Sequence, residues 1–187
     1  MKIFVMTRDS IIIYSAVALL LVGILVFGGS VGESILSAAS APREIPIYSV
    51  QTDKKQIAIT FDAAWGDSDT TQLIDILKKY NARASIFVVG GWTTRFPEST
   101  KAFFDAGHEI LNHSDSHKHF NALSEEEIID DIKACEQKIA DVTRQPSKAI
   151  FRAPYGEYND HVIASAKKAG VVTVQWDVDT PCKGLRV

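Results

Sequence analysis

The chain has 187 residues, 46% of them hydrophobic, and a formal net charge of −3 at neutral pH. This composition fits one globular or membrane-associated domain better than a disordered chain. Lysine and arginine are scattered and form no dense basic patch, so we expect no nucleic-acid partner.

The first segment of the chain is a long apolar run. Residues 10–32 carry no charge, and about 20 such residues span the hydrocarbon core of a bilayer as a helix. Lys2 and Arg8 precede the run, which places the amino terminus in the cytoplasm by the positive-inside rule. We therefore predict a cytoplasmic terminus over 1–10 and a transmembrane signal-anchor over 11–29.

The next segment, residues 30–46, is rich in small and polar residues and predicts an extracytoplasmic stalk. The folded domain is then predicted over 47–187. A cleaved signal peptide is the alternative to an anchor, because residues 39–41 read Ala-Ser-Ala. Pro42 follows that site and the apolar core ends well upstream, which favours the anchor. Either way, we expect the domain outside the cytoplasm, and the uncleaved anchor predicts that it stays at the cell membrane.

Beyond the stalk, short apolar runs alternate with amphipathic helical patterns. The predicted strands are 56–61, 84–89, 108–112, 148–152 and 171–176. The predicted helices are 70–80, 97–107, 123–142 and 158–170, and in the third of these Ser124 and Glu127 form a capping box. Five strands alternating with helices predict an α/β fold with a parallel sheet or barrel of βα units.

Polar residues stand where the predicted strands end. Asp62 follows the first strand, His113 the third, Arg152 ends the fourth, and Asp177 follows the fifth. Parallel α/β folds build their sites at the carboxyl ends of strands, so we expect these side chains to share a site.

Two histidines of the segment after the third strand, His113 and His117, are four residues apart. On a helical turn, residues at this spacing share one face, and imidazole suits zinc and similar divalent metals. The spacing therefore predicts a metal site, with a solvated histidine-rich loop as the alternative.

One arginine and two tryptophans have specific roles that they could play in the same site. Arg152 could pair with the Asp62 carboxylate, although a lone arginine is more often part of a surface ion pair. Trp65 and Trp176 could offer flat faces to a sugar ring, with core packing as the alternative for each.

Three short motifs together resemble one known family. TFDAAWGD at 60–67, HSDSH at 113–117 and RAPYG at 152–156 resemble the first three motifs of the polysaccharide deacetylases, the NodB-type enzymes of carbohydrate esterase family 4. The resemblance implies a distorted (β/α) barrel that removes N-acetyl groups from N-acetylglucosamine or N-acetylmuramic acid of cell-wall peptidoglycan. The amino-terminal region is most similar to the PdaB-like sporulation branch.

The resemblance also implies roles for individual residues. By this resemblance, Asp62 is the catalytic base, and His113 and His117 are ligands of a divalent metal such as zinc. Arg152 orients the base, and the Tyr155 backbone N–H helps to hold the oxyanion. Asp179 lies in the region of the fourth motif.

The sequence departs from the family pattern at three places. Ala63 stands where most members carry the aspartate that completes the metal ligands, and Cys182 stands where the fourth motif has a second aspartate. The chain also ends at Val187, before the later strands of the barrel, so we expect an incomplete barrel. Two functions thus remain open: an anchored deacetylase, or a catalytically defective fragment or membrane-tethered glycan-binding pseudoenzyme.

Overall fold

The computed structural model describes residues 16–17, 19–22 and 43–179. Residues 16–17 and 19–22 are helical and exposed. Within these described ranges, no helix has both the length and the hydropathy that crossing a bilayer requires. Most of the predicted anchor and stalk, and the end of the chain with Cys182, lie outside the described residues.

The domain is built on one parallel sheet of five strands in chain order. The strands are β1 (Ile59–Ala63), β2 (Ala84–Val88), β3 (Glu109–Asn112), β4 (Ile150–Phe151) and β5 (Val172–Thr173). All four neighbouring pairs are parallel. The predicted α/β class with five parallel strands is therefore confirmed, although each strand is shorter than its apolar run.

Five α-helices connect the strands. They are α1 (Thr70–Lys79), α2 (Gly90–Arg95), α3 (Pro97–Asp105), α4 (Glu125–Thr143) and α5 (Asp160–Ala169). The predicted capping box of α4 is present, since Ser124 accepts from the Glu127 N–H and the Glu127 carboxylate accepts from the Ser124 N–H. This reciprocal pair satisfies two backbone donors that the first turn of a helix leaves free.

Helix α2 was not predicted from the sequence, because it opens with two glycines, which are poor helix formers. It forms because Trp92 is buried in the core and its indole N–H donates to the Gly66 carbonyl at 2.9 Å. Pro97 at the first position of α3 then separates the two helices.

Helix α4 joins the two hydrophobic clusters of the domain. Ile128 and Ile132 belong to a cluster with β4 and α5, whereas Cys135 and Ile139 belong to a cluster with β1, β2 and α3. Cys135 is a free thiol, fully buried, and burial raises its pKa far above the ordinary value. This predicts an inert thiol.

The segment before β1 is fastened to the opposite edge of the sheet. Ile47 forms a parallel bridge with Val174, and its N–H donates to the Thr173 carbonyl at 3.0 Å. Glu44 pairs with Lys167 of α5 at 2.6 Å. The compact unit accordingly begins at Glu44, three residues before the predicted start of the domain.

The strand register brings the carboxyl ends into one line. Ala63 pairs with Val88, Val88 with Asn112, Asn112 with Phe151, and Phe151 with Thr173. The residues at and just after these positions therefore meet where the strands end, as expected from the sequence. We call this side of the sheet the carboxyl edge.

Candidate functional site

Asp62 and Arg152 form the centre of this edge. The Arg152 guanidinium donates from Nη1 to Asp62 Oδ1 at 2.6 Å and to the Thr60 hydroxyl at 3.1 Å. Asp62 and Thr60 are two residues apart on β1, so their side chains share one face of the strand. The predicted Asp62–Arg152 pair is confirmed, although the residues lie 90 positions apart in sequence.

Arg152 is almost completely buried, with 4% of its surface exposed. Its guanidinium lies over the Phe87 ring, with Cζ 3.8 Å from the centroid, and 5.6 Å from the centroid of Trp176. Aromatic faces attract a desolvated guanidinium. Arg152 is therefore held by two aromatic rings as well as by its hydrogen bonds, and its burial excludes the alternative interpretation, a surface ion pair.

His113 occupies the same edge and is 3% exposed. Its Nδ1 lies 2.9 Å from the Arg152 carbonyl, which can only accept, so Nδ1 carries the hydrogen. The Nε2 lone pair then faces Asp62 Oδ2 at 3.8 Å. Burial lowers the pKa of His113 and outweighs the opposing effect of the nearby Asp62 charge, so the imidazole is neutral at neutral pH.

His117 lies beside His113, with ring centroids 5.2 Å apart. The expected helical turn is wrong: the segment is an irregular loop in which His117 has a φ of 53°. Within this loop, the Ser114 hydroxyl accepts from the His117 N–H at 2.9 Å. Burial lowers the pKa of His117, and its buried Nδ1 has no hydrogen-bond partner among the described residues.

A row of aromatic rings extends from His117 toward solvent. The Trp65 ring lies 5.6 Å from His117, and the Tyr155 ring 4.6 Å from it. His119 stacks on Tyr155 at 4.3 Å, and its Nδ1 donates to the Glu157 carboxylate at 2.9 Å. Trp65 is 74% exposed and Tyr155 52% exposed, so core packing is excluded for Trp65.

The turn at 154–156 holds Tyr155 in a left-handed conformation, with a φ of 58°. Two hydrogen bonds close this turn: the Gly156 N–H donates to the Ala153 carbonyl, and the Glu157 N–H donates to the Pro154 carbonyl. Neither bond uses the Tyr155 N–H. Gly156 has a φ of 68°, and a Cβ there would lie 3.0 Å from Trp176. Glycine is therefore required at this turn.

The remaining candidates are less closely placed. Trp176 is half-buried and contacts the site through Arg152. Asp177 and Asp179 are exposed, and neither forms a hydrogen bond or ion pair with another candidate within the described part of the chain. The structure thus unites Asp62, His113, His117, Arg152 and Tyr155, but not Asp179.

The donor chemistry of this edge fits a divalent cation of the zinc type. Two neutral imidazoles, one with its Nε2 lone pair free and one with an orphaned buried Nδ1, are the ligands that such a cation prefers. Ala63 contributes no ligand atom and packs against the apolar cluster of β1 and β2. Across residues 43–179, no three acidic, histidine or cysteine side chains form a ready-made ligand group.

Sequence reasoning missed two contributors to the site, Thr60 and the His119–Glu157 pair. Thr60 could have been found, since the two-residue period of a strand places it beside Asp62. The His119–Glu157 pair links residues 38 apart in two loops, and no local pattern indicates it.

Comparison with known proteins identifies the domain. The family described as polysaccharide deacetylase matches residues 49–174. A peptidoglycan-N-acetylglucosamine deacetylase of Bacillus cereus is 36% identical over 129 residues, which cover 69% of this chain and 60% of that protein. The chain therefore spans less than two thirds of this relative's length.

Two solved structures are similar to the domain. The structure of PdaA from Bacillus subtilis, a family 4 carbohydrate esterase, has a TM-score of 0.70 and 27% identity, over 75% of this chain and 60% of that one. A family 4 pseudoenzyme from Bacillus anthracis has a TM-score of 0.70 and 32% identity, over 74% and 49%. Both support the α/β fold of the NodB-type barrel.

Proposed function

The chain belongs to the polysaccharide deacetylase family. We propose that it hydrolyses the N-acetyl groups of a cell-wall polysaccharide at the site where Asp62 and Arg152 pair. One observation carries this proposal: a carboxylate held by a buried guanidinium at 2.6 Å faces a neutral, buried imidazole at 3.8 Å. Amide hydrolysis needs a base, a polarised carbonyl and a donor for the oxyanion.

Asp62 is the proposed base. Its Oδ1 is bound to Arg152, whereas its Oδ2 lies too far from His113 Nε2 for a hydrogen bond, so Oδ2 is available to a water. The Asp62 side chain is 30% exposed, which lets solvent reach it. Asp62 would take a proton from the attacking water while Arg152 holds the carboxylate in place.

His113 and His117 are the proposed ligands of a divalent cation. A bound cation would supply Lewis acidity at the acetyl carbonyl. The Arg152 carbonyl fixes the His113 tautomer, so that Nε2 is the ligand atom. Burial keeps both rings neutral, which is the state in which imidazole binds metal.

Tyr155 and the exposed rings are proposed to bind the substrate. The Tyr155 N–H, left outside the hydrogen bonds of its turn, is the candidate donor to the oxyanion. The Trp65 and Tyr155 rings offer exposed apolar faces to sugar rings, and Trp176 is a candidate for the same role beside Arg152.

Peptidoglycan is the proposed substrate, because two relatives of the domain, from Bacillus cereus and Bacillus subtilis, are named for deacetylation of its N-acetylglucosamine and its N-acetylmuramic acid. The uncharged segment 10–32 supports the proposed single-pass anchor in the cell membrane, with the domain outside. The resemblance to the PdaB-like branch supports a role in sporulation.

Acetate release tests the proposed activity. The full chain is incubated with zinc and either peptidoglycan or an acetylated chitooligosaccharide, and acetate is assayed over time. We expect release that falls by about 10²–10⁴-fold in Asp62→Asn, which keeps the shape but removes the base. Glu109→Gln is the matched control, since Glu109 lies at the opposite end of the sheet and should leave the rate unchanged.

The second candidate function is glycan binding without catalysis. Ala63 favours it, because the position carries no ligand, and one structural relative is itself a pseudoenzyme. Under this hypothesis, no acetate is released at any zinc concentration. Binding of the same oligosaccharide would persist and would weaken in Trp65→Ala, because stacking does not depend on the metal.

A further inference from the structure

The loop that carries both histidines is conformationally strained. We call residues 113–117 the histidine loop. Ser114 and His117 have φ values of 71° and 53°, and a left-handed conformation costs a residue with a Cβ roughly 1–2 kcal/mol. Two such residues within four positions must be stabilised by contacts outside the backbone of the loop.

Neighbouring residues supply part of this stabilisation. Asn112 is fully buried; its side-chain oxygen accepts from the Ser114 N–H, and its amide donates to the Ile132 carbonyl, both at 2.8 Å. The N–H groups of Gly90 and Gly91 donate to the carbonyls of Ser114 and Asp115 at 2.9 and 3.0 Å. The two glycine N–H groups thus bind carbonyls of the loop, and Asn112 binds the Ser114 N–H.

Asp131 of helix α4 holds the N–H side. Its Oδ1 accepts from the Asp115 N–H at 2.6 Å and lies 3.4 Å from the Ser116 N. Its Oδ2 accepts from the Ser116 hydroxyl. One carboxylate thus binds three donors of two consecutive loop residues, and hydrogen bonds to a charged acceptor are among the stronger ones.

A second side chain of α4 extends the attachment. Lys138, two turns from Asp131 on the same side of the helix, pairs with Asp115 Oδ1 at 2.6 Å. The Asp115 carboxylate lies directly against Gly90, where a Cβ would lie 2.1 Å from Asp115 Oδ1 and would displace the carboxylate from this position. The centre of the histidine loop is therefore clamped between α2 and α4.

We propose that Asp131 is a positioning residue for His117. It sets the path of the loop at 115–116, the two residues directly before His117, and so determines where the second imidazole stands relative to His113. The inference rests on the proposed function, in which His117 is a ligand, but it concerns the placement of the ring and not the hydrolysis itself.

Zinc binding and ring resonances of the full chain test this role. We compare the wild type with Asp131→Ala, Asp131→Asn and the control Asp130→Ala, titrating Zn²⁺ alone by calorimetry. Asp130 is the exposed neighbour on α4. Loss of a residue that supports a ligand typically weakens metal binding about 10–100-fold, which we expect for Asp131→Ala.

Asp131→Asn should restore affinity to within about threefold, because its amide oxygen still accepts from the Asp115 N–H and its NH₂ can donate to the Ser116 hydroxyl. The ring C–H resonances of His117, measured without metal, provide a second readout. The Trp65 and Tyr155 rings lie within 5.6 Å of it, so movement of the loop changes their ring-current shift. Thermal unfolding of each variant shows whether the fold is retained.

Three results would overturn the proposal. They are unchanged zinc affinity and unchanged His117 resonances in Asp131→Ala, equal losses in Asp131→Ala and Asp130→Ala, and no rescue by Asp131→Asn. If the wild type neither binds zinc nor releases acetate, the proposed function fails, and the metal-free resonances alone decide the role of Asp131.

Discussion

The two ends of the parallel sheet carry the same types of residue. They differ in which side-chain atoms are free of hydrogen bonds and in how deeply the ion pairs are buried. At the carboxyl end, Asp62, Arg152 and His113 meet, and at the amino end Glu109, Lys148 and His108 lie close together around a cavity of about 330 Å³. Each end thus holds a carboxylate, a cation and a buried histidine.

The histidines differ in the role of Nδ1, and so in which ring nitrogen carries the hydrogen. At the amino end, His108 Nδ1 accepts from the Ala84 N–H at 3.3 Å. At the carboxyl end, His113 Nδ1 donates to a carbonyl and leaves its Nε2 lone pair toward Asp62. The ion pairs differ too, since the Arg152 side chain is 4% exposed and the Lys148 side chain 60% exposed. Residue type alone does not make a site; the partners decide which atoms stay reactive.

The strongest test of this contrast is a pair of histidine variants. His113→Asn can keep the hydrogen bond to the Arg152 carbonyl through its NH₂ while removing the Nε2 ligand, so zinc affinity should fall by more than about 100-fold. His108→Asn keeps an oxygen for the Ala84 N–H and should bind zinc as the wild type does. Calorimetric titration measures both, and equal affinities would remove the distinction between the two ends.

The two basic side chains, Arg152 and Lys148, should differ in their contribution to the free energy of unfolding. Arg152→Met strands the Asp62 carboxylate and is expected to lower the free energy of unfolding by about 1.5–3 kcal/mol. Lys148→Met at the amino end breaks an exposed pair with Glu109, whose contribution is at most about 1 kcal/mol. Urea unfolding of both variants measures the difference. Similar losses would mean that burial of Arg152 adds nothing to its pair.

An aspartate at position 63 should increase the zinc affinity of the site where the strands end, and so widen the contrast with the amino end of the sheet. Ala63→Asp places an acidic oxygen at the end of β1, next to Val88, whose carbonyl accepts from the His113 N–H. We expect zinc affinity to rise about tenfold, since carboxylate oxygen is a common zinc ligand. Ala63→Asn controls for added bulk without charge, and an equal effect of both variants would argue against ligation.

The smallest expected effect is a pH dependence at the amino end. Burial first and the Arg83 charge second lower the pKa of His108. Below about pH 6.5, the ordinary pKa of histidine, the unfolded chain takes up a proton that the folded chain resists, so stability falls as pH falls.

His108→Asn removes this contribution. Between pH 7.5 and 5.5, the wild type should therefore lose more unfolding free energy than the variant. The difference is at most about 1.4 kcal/mol, because only the one pH unit below 6.5 contributes. Denaturant unfolding at the two pH values measures it. Parallel losses in the two proteins would show that His108 titrates as in the unfolded chain.

Much of this architecture was predictable from local patterns. The alternation of apolar runs with amphipathic helices predicts the five parallel strands, and the Ser124–Glu127 spacing predicts the start of α4. The placement of Asp62, His113 and Arg152 after strands predicts that they meet, because parallel strands present their carboxyl ends on one side. Each of these features depends on residues two to four positions apart, and such spacings can be seen directly in a sequence.

The tertiary structure alone decided the remainder. Helix α2 forms against its local propensity because Trp92 is buried, and the histidine loop replaces the predicted helical turn because side chains from α4 and from Asn112 hold it. Which nitrogen of His113 stays free depends on the Arg152 carbonyl, 39 residues away. Such contacts join segments far apart in the chain, and their geometry exists only once the core has packed.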